Sequence, residues 1–160
     1  MLRPLKPVTN KQAALDAAIR ALTFRALTEQ EIEQKLNKRS CPNEIIQEVI
    51  QYLKSYGYLN DEKLASAMVD KLTRDGKHGR NGIMGKMRQR GIPEAIVQQT
   101  IQVFDPKTEV LSAIAVARKK MPHYNIQDKL KLCRFLANKG FSTSVITRVC
   151  VQLENEQTNG

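Results

Sequence analysis

Laid upon itself, the sequence repeats. Residues 32–53 align without a gap on residues 83–104, and those in turn on residues 132–153. Seven columns of this alignment hold apolar residues only. They are Ile32/Ile83/Leu132, Leu36/Met87/Leu136, Cys41/Ile92/Phe141, Ile45/Ile96/Val145, Ile46/Val97/Ile146, Ile50/Ile101/Cys150 and Leu53/Phe104/Leu153. The first two columns stand four residues apart and the last four follow a helical face, with the third column in a turn between them. Each unit therefore predicts two helices joined by a tight turn and burying matching faces. Self-similarity at a period near fifty residues marks tandem copies of one supersecondary unit.

A further helix precedes each pair, over residues 11–25, 61–74 and 106–120, with faces such as Leu15/Ile19/Leu22 and Leu64/Met68/Leu72. Helix starts are written into the chain. Thr28 and Glu31 form a capping box, Asn60 precedes Asp61 and Glu62, and Asp105 precedes a proline suited to the first helical position, as do the residues before Pro42 and Pro93. Gly57, Gly76, Gly91 and Gly140 read as helix stops. No segment alternates as a strand would. The expected fold is all-α: three tandem three-helix repeats, about nine helices, at residues 11–57, 58–104 and 105–153. Units this small bury little surface alone, so neighbours are expected to extend one core into an elongated, curved body. Residues 1–10 read as a flexible N-terminal segment and residues 154–160 as a polar, mobile tail.

Catalytic chemistry finds no motif to stand on. No phosphate-cradling loop of the Gly-x-x-x-x-Gly-Lys-Ser/Thr type occurs, and Gly76-Lys77-His78-Gly79 follows no strand. His78 and His123 are far apart, and the carboxylates sit at helix starts or in charge pairs such as Glu31 with Lys35. Cys41, Cys133 and Cys150 lack metal-ligand or disulfide-framework spacing. Cys41 and Cys150 occupy core columns; Cys133 has no evident role. The reading is a non-enzyme with no cofactor and no metal. A chain without an apolar span or secretory leader pattern is expected in the cytoplasm, off the membrane and monomeric.

Charge points to a partner. Residues 1–70 carry ten Lys/Arg against nine Asp/Glu, whereas residues 71–160 carry sixteen against seven. Between 71 and 90 seven cations (Lys71, Arg74, Lys77, Arg80, Lys86, Arg88 and Arg90) face the single acid Asp75. Arg118, Lys119 and Lys120 end one helix, and Lys129, Lys131, Arg134 and Lys139 continue the series. Closely spaced phosphates call for such a surface. Arg39, Arg90 and Lys139 share a column at a helix end, where a cation also stabilises the helix dipole; there, and at 118–120, capping explains the charge equally well. Lys77, Arg80 and Lys86 have no such structural reason. Phe104 and Phe141 belong to core columns, and Tyr124 reads as a surface tyrosine more than a stacking platform. Backbone- or filament-directed binding fits better than base readout.

Specific strings carry a family resemblance. Tyr56-Gly57-Tyr58-Leu59-Asn60-Asp61-Glu62, Lys77-His78-Gly79, Lys86-Met87-Arg88-Gln89-Arg90-Gly91-Ile92, Lys129-Leu130-Lys131, Arg134-Phe135-Leu136 and Lys139-Gly140-Phe141 together resemble the RecX family of bacterial RecA regulators. So do Ala21-Leu22 and Thr28-Glu29-Gln30-Glu31-Ile32 near the start. The family often has a proline after the glycine-rich loop, where this chain has Arg80-Asn81-Gly82; Gly82 and Gly85 are expected to loosen that helix start. The resemblance implies stacked three-helix repeats that bind RecA and its filament on single-stranded DNA. It also implies reduced ATP hydrolysis, strand exchange and repressor cleavage, hence control of recombination, DNA repair and the SOS response. Repeats two and three would bridge neighbouring RecA subunits. The residues alone leave open a sequence-nonspecific DNA-binding module and a protein-only scaffold for an acidic partner.

Overall fold

The structure is a computed structural model that describes residues 6–158. Among the described residues it holds nine helices and no strand. They are α1 (Lys11–Phe24), α2 (Glu29–Asn37), α3 (Asn43–Ser55), α4 (Asp61–Asp75), α5 (Arg80–Gln89), α6 (Glu94–Thr100), α7 (Pro106–Lys120), α8 (Lys129–Asn138) and α9 (Thr143–Thr158). Single 3₁₀ turns follow α6 at Ile101–Val103 and lead into α8 at Ile126–Asp128. The fold is all-α, built of three-helix repeats.

The start signals work as read. Asn60 accepts from the Lys63 N–H at 2.8 Å. Asn10, expected within the flexible N-terminal segment, instead caps α1 by accepting from the Ala13 N–H at 2.8 Å. Thr28 and Glu31 exchange both bonds of the capping box, and Asp105 caps a helix whose first residue is Pro106. Pro42 and Pro93 differ: each is itself the N-cap, and the helices begin one residue later, at Asn43 and Glu94. An extended ψ of 141° keeps both prolines just outside the helix. At the end of each middle helix stands a left-handed residue, Ser40, Gly91 or Gly140, at φ 53°, 79° and 80°. Only the first copy forces a side chain into that region.

Six of the seven columns are fully buried in all three repeats; in the column Ile45/Ile96/Val145 only Val145 is, with Ile45 and Ile96 half-buried. The cores themselves are separate, contrary to expectation. Residues 8–59, 65–104 and 113–153 form three apolar clusters, one per repeat. Three helices close around each cluster, and hydrogen bonds and an ion pair link neighbouring repeats.

Those joints follow one plan. The first backbone N–H of a middle helix lacks an intrahelical partner. In α2 that N–H, on Glu29, donates to Asp61 Oδ1 of the next repeat at 3.1 Å. In α5 it is on Arg80 and donates to Glu109 Oε1 of the third repeat at 3.0 Å. The N-cap residue then reaches the end of the next middle helix: Thr28 Oγ1 donates to the Arg90 carbonyl at 2.7 Å, and the Gly79 N–H to the Lys139 carbonyl at 3.0 Å. Thr28, Asp61 and Glu109 are the buried polar side chains among the described residues, and each serves a joint. Asp61 thus does more than complement its own helix dipole.

The first joint adds an ion pair. Arg90 Nη2 and Nε meet Glu31 Oε2 and Oε1 at 2.7 and 3.1 Å, while Nη2 also donates to the Ala26 carbonyl at 2.8 Å. Glu31 therefore pairs across the joint, and with Arg25 at 3.0 Å, rather than with Lys35. The second joint adds close backbone approach. The Asn81 N–H donates to the Gly140 carbonyl at 3.0 Å, and a Cβ on Gly79 or Gly82 would strike the backbone of Lys139, Gly140 or Phe141. Gly82 is a contact residue, not a loosened helix start; Gly85 has open space around it.

Both chain ends are more ordered than expected where they are described. Val8 is buried in the first core, and its N–H donates to the Arg39 carbonyl at 2.9 Å. That carbonyl corresponds in the repeat to those of Arg90 and Lys139, so residues 6–8 cap the acceptor end a preceding repeat would occupy. At the other end α9 continues through Thr158, so residues 154–158 are helical. Residues 1–5 and 159–160 of the two segments lie outside the described residues.

Burial works against the Glu31 carboxylate, but hydrogen bonds from Arg90, the Thr28 N–H and Arg25 outweigh it and hold its pKa at about 2. A depressed carboxylate stabilises fully above its unfolded value, near 4.5, and loses that contribution as pH falls toward 2. Glu31→Gln should therefore cost about 1–3 kcal/mol in urea unfolding at pH 7 and flatten the acid limb. Gly82→Ala should destabilise by about 1–3 kcal/mol through overpacking, whereas Gly85→Ala should stabilise by up to about 1 kcal/mol.

Candidate basic interface at the second joint

The middle helices end in positive charge, and the second joint folds the end of α8 against the start of α5. Lys77 is exposed in the loop between α4 and α5, just after Gly76 closes α4. Arg80 opens α5 with its backbone N–H committed to Glu109. Lys86 stands half-buried on the same helix, one turn beyond Gly82. Because Gly79 and Gly82 seat directly on the end of α8, Lys139 is delivered to the same place from the third repeat.

His78 reports the field there. Burial is the first cause holding its pKa below the ordinary 6.5, and the Lys86 and Lys139 ammoniums push it down further. The Lys139 backbone and Asp75 offset part of this. A third lysine joins through an aromatic ring. Lys139 Nζ lies 5.8 Å and Lys120 Nζ 5.4 Å from the centroid of Phe135. Cation–π attraction of about 0.5–1 kcal/mol holds each ammonium near the ring. Lys86 and Lys139 thus both act on His78 at the joint, and Lys139 and Lys120 share the Phe135 ring. None of the three has a carboxylate partner among the described residues.

The other cations separate by whether they are already paired. Arg88 forms a bidentate pair with Glu94 at 2.6 and 2.7 Å, Arg118 meets Glu156 at 2.7 Å, and Lys129 meets Glu154 at 2.8 Å. Arg90 lies in the first joint, with its guanidinium turned to Glu31 and away from the basic series. Lys119, Lys131 and Arg134 are exposed and, with Lys77 and Arg80, carry no ion pair among the described residues. The candidate surface that carries no ion pair among the described residues is therefore Lys77, Arg80, Lys86, Lys120 and Lys139, flanked by Lys119, Lys131 and Arg134.

Sequence reasoning missed His78 and Phe135 as parts of this surface. A signal existed for Phe135, which occupies the repeat column of Lys35 and Lys86: an aromatic at an outward position. Tyr56 and Tyr58 were also missed as accessible aromatics; they are 65% and 61% exposed on either side of Gly57. Tyr124 is a correction in the other direction. It is buried in the third core, its hydroxyl 3.5 Å from Glu154 and its carbonyl accepting from the Gln157 side chain. No group of three or more metal-ligating side chains occurs among the described residues, and no helix there is long and apolar enough to cross a membrane.

Comparison with known proteins places the architecture. The model of the first three-helix domain of RecX matches residues 14–53, and that of the third three-helix domain matches residues 109–150. The chain is 34% identical over 149 residues to the regulatory protein RecX of Deinococcus radiodurans, covering 90% of this chain and 71% of that protein. It is 30% identical over 163 residues to the regulatory protein RecX of Clostridium botulinum strain Alaska E43, covering 94% and 74%. The crystal structure of RecX from Lactobacillus salivarius superposes with a TM-score of 0.80 at 22% identity, over 90% of this chain and 96% of that one; it shares the fold.

Removing either neighbouring ammonium, as Lys86→Ala or Lys139→Ala, should raise the His78 pKa without restoring it to 6.5, because burial persists. Adding a single-stranded oligonucleotide to the unaltered protein should raise it too. Histidine ring resonances followed by NMR against pH read both shifts; an unmoved pKa would show that the three groups do not share a field.

Proposed function

We propose, because the chain belongs to the RecX family, that this regulatory protein acts by binding RecA and the RecA filament on single-stranded DNA. It would lower ATP hydrolysis, strand exchange and the coprotease activity of RecA, and so take part in recombination, DNA repair and control of the SOS response. In this reading it is a non-catalytic, cytoplasmic monomer that needs no cofactor.

The observation that carries the proposal is the unpaired series Lys86, Lys139 and Lys120 crossing the second joint. Cations left without carboxylates are suited to the phosphates of a nucleic-acid strand or to acidic patches of a filament. A rigid joint presents them at fixed spacing, which suits a partner that is itself periodic. Repeats two and three would bridge neighbouring RecA subunits and disturb filament growth or geometry, with the phosphate backbone contacted alongside. Exposed Tyr56 and Tyr58 are apolar surface that a protein partner would cover.

Titration of RecA's ATPase on single-stranded DNA tests this. Inhibition should appear below one protein per RecA subunit. Changing Lys77, Arg80 and Lys86 together to alanine should weaken it several-fold, and flatten the logarithmic salt dependence of any direct single-strand binding by about 2. No inhibition by folded protein in stoichiometric excess would sink the RecA reading. Tight DNA binding in that case would favour a nonspecific DNA-binding module, and negligible DNA affinity a protein scaffold.

A further inference from the structure

Two cysteines separated by 17 residues in sequence meet in the third repeat, where nothing in the binding surface uses them. Cys133 on α8 and Cys150 on α9 are free thiols with sulfurs 3.6 Å apart. Cys150 is 1% exposed in the third core, whereas Cys133 is half-buried and reachable from solvent. The remaining cysteine, Cys41, is buried in the first core, two repeats away. A disulfide requires sulfurs about 2.05 Å apart, so these two need to approach by about 1.5 Å from a contact already made.

We propose that Cys133 and Cys150 are a peroxide-responsive dithiol that closes an intramolecular disulfide between α8 and α9. Cys133 meets the oxidant first, because it is the accessible member. Its thiolate attacks one oxygen of hydrogen peroxide; the oxygen–oxygen bond breaks, leaving Cys133 sulfenic acid and, after protonation, water. The Cys150 sulfur then attacks the Cys133 sulfur. The sulfur–oxygen bond breaks, hydroxide leaves, and the Cys150 proton completes a second water. Two thiols are oxidised by two electrons and one peroxide is reduced to two waters. Burial, and then the Cys133 sulfur, raise the Cys150 pKa to about 11, which keeps Cys150 protonated and places the first attack on peroxide at Cys133. Cys150 follows as resolving thiol because its sulfur is already in contact with that of Cys133.

The consequence falls on the basic surface. Helix α8 carries Lys131, Arg134 and Phe135 and ends at Lys139, and it packs on α9. A bond between 133 and 150 ties that helix to α9 at mid-length, restricting the unfolded chain and any movement of α8 away from the repeat. Reduced protein would keep that freedom.

The full-length chain should be treated with a modest excess of hydrogen peroxide, denatured and counted for thiols, then digested with trypsin. Two of three thiols should disappear, the monomer should lose the mass of two hydrogen atoms, and residues 132–134 should be recovered joined to residues 149–160. The thermal midpoint should rise and return after dithiothreitol. Cys41→Ser should close the same link. Cys133→Ser, a change at a half-buried site that spares the core, should protect the Cys150 thiol. Retention of all three thiols would overturn the proposal. So would Cys133 driven to sulfinic acid without the link, or a dimer bridged through Cys133.

Discussion

Everything in this fold depends on how the first turn of a middle helix is satisfied. Four N–H groups at a helix start have no partner within the helix, and leaving a buried one unpaired costs about 1–3 kcal/mol. Here the next repeat supplies the acceptor. Asp61 takes the Glu29 N–H and Glu109 takes the Arg80 N–H, while Thr28 and Gly79 bond the carbonyls of Arg90 and Lys139. Each repeat closes its own apolar core, so these few polar bonds, with the Glu31–Arg90 pair, set how one unit sits on the next. In the first repeat the Val8 N–H makes the corresponding bond to the Arg39 carbonyl.

The joint also makes the surface. Glycine at 79 and 82 lets two backbones touch, and that contact brings Lys139 beside His78 and Lys86. Phe135 then gathers Lys139 and Lys120 over one ring. Cations from α5, α7 and α8 become neighbours although they lie up to 53 residues apart in sequence. Their mutual repulsion is a cost the isolated protein carries, which an anionic partner of the kind proposed would relieve. Arg90 and Lys139 occupy the same repeat column and both present a carbonyl to a joint, but their side chains part: one pairs with Glu31, the other lies over the Phe135 ring without an ion pair among the described residues.

The cores were legible and the joints were not. Apolar columns at helical spacing announce which face is buried, because burial of such a face needs no knowledge of its partner. Helix boundaries followed from caps at Thr28, Asn60 and Asp105, whose bonds are local. A joint hangs on single polar residues whose partners are 29 to 62 positions away, and no periodicity marks them. Gly82 therefore looked like a weakened helix when it is a close contact, and Asp61 like a dipole complement when it caps the previous repeat. Cys133 and Cys150 gave no spacing signal because two helices had to pack before they met. For the surface, the charge count was readable from composition, but which cations are already paired emerged only with the partners in place.

The measurement closest to the central claim separates joint from charge. Gly82→Ala leaves every cation of the basic surface in the chain but wedges the second joint. Its inhibition of RecA's ATPase on single-stranded DNA should be read beside hydrogen exchange at the Gly79 N–H. Loss of protection at Gly79 should accompany a several-fold loss of inhibition, with the circular dichroism of three folded repeats retained. Undiminished inhibition by protein whose Gly79 N–H has lost its protection would contradict the account, since the cations would then act without the joint that aligns them.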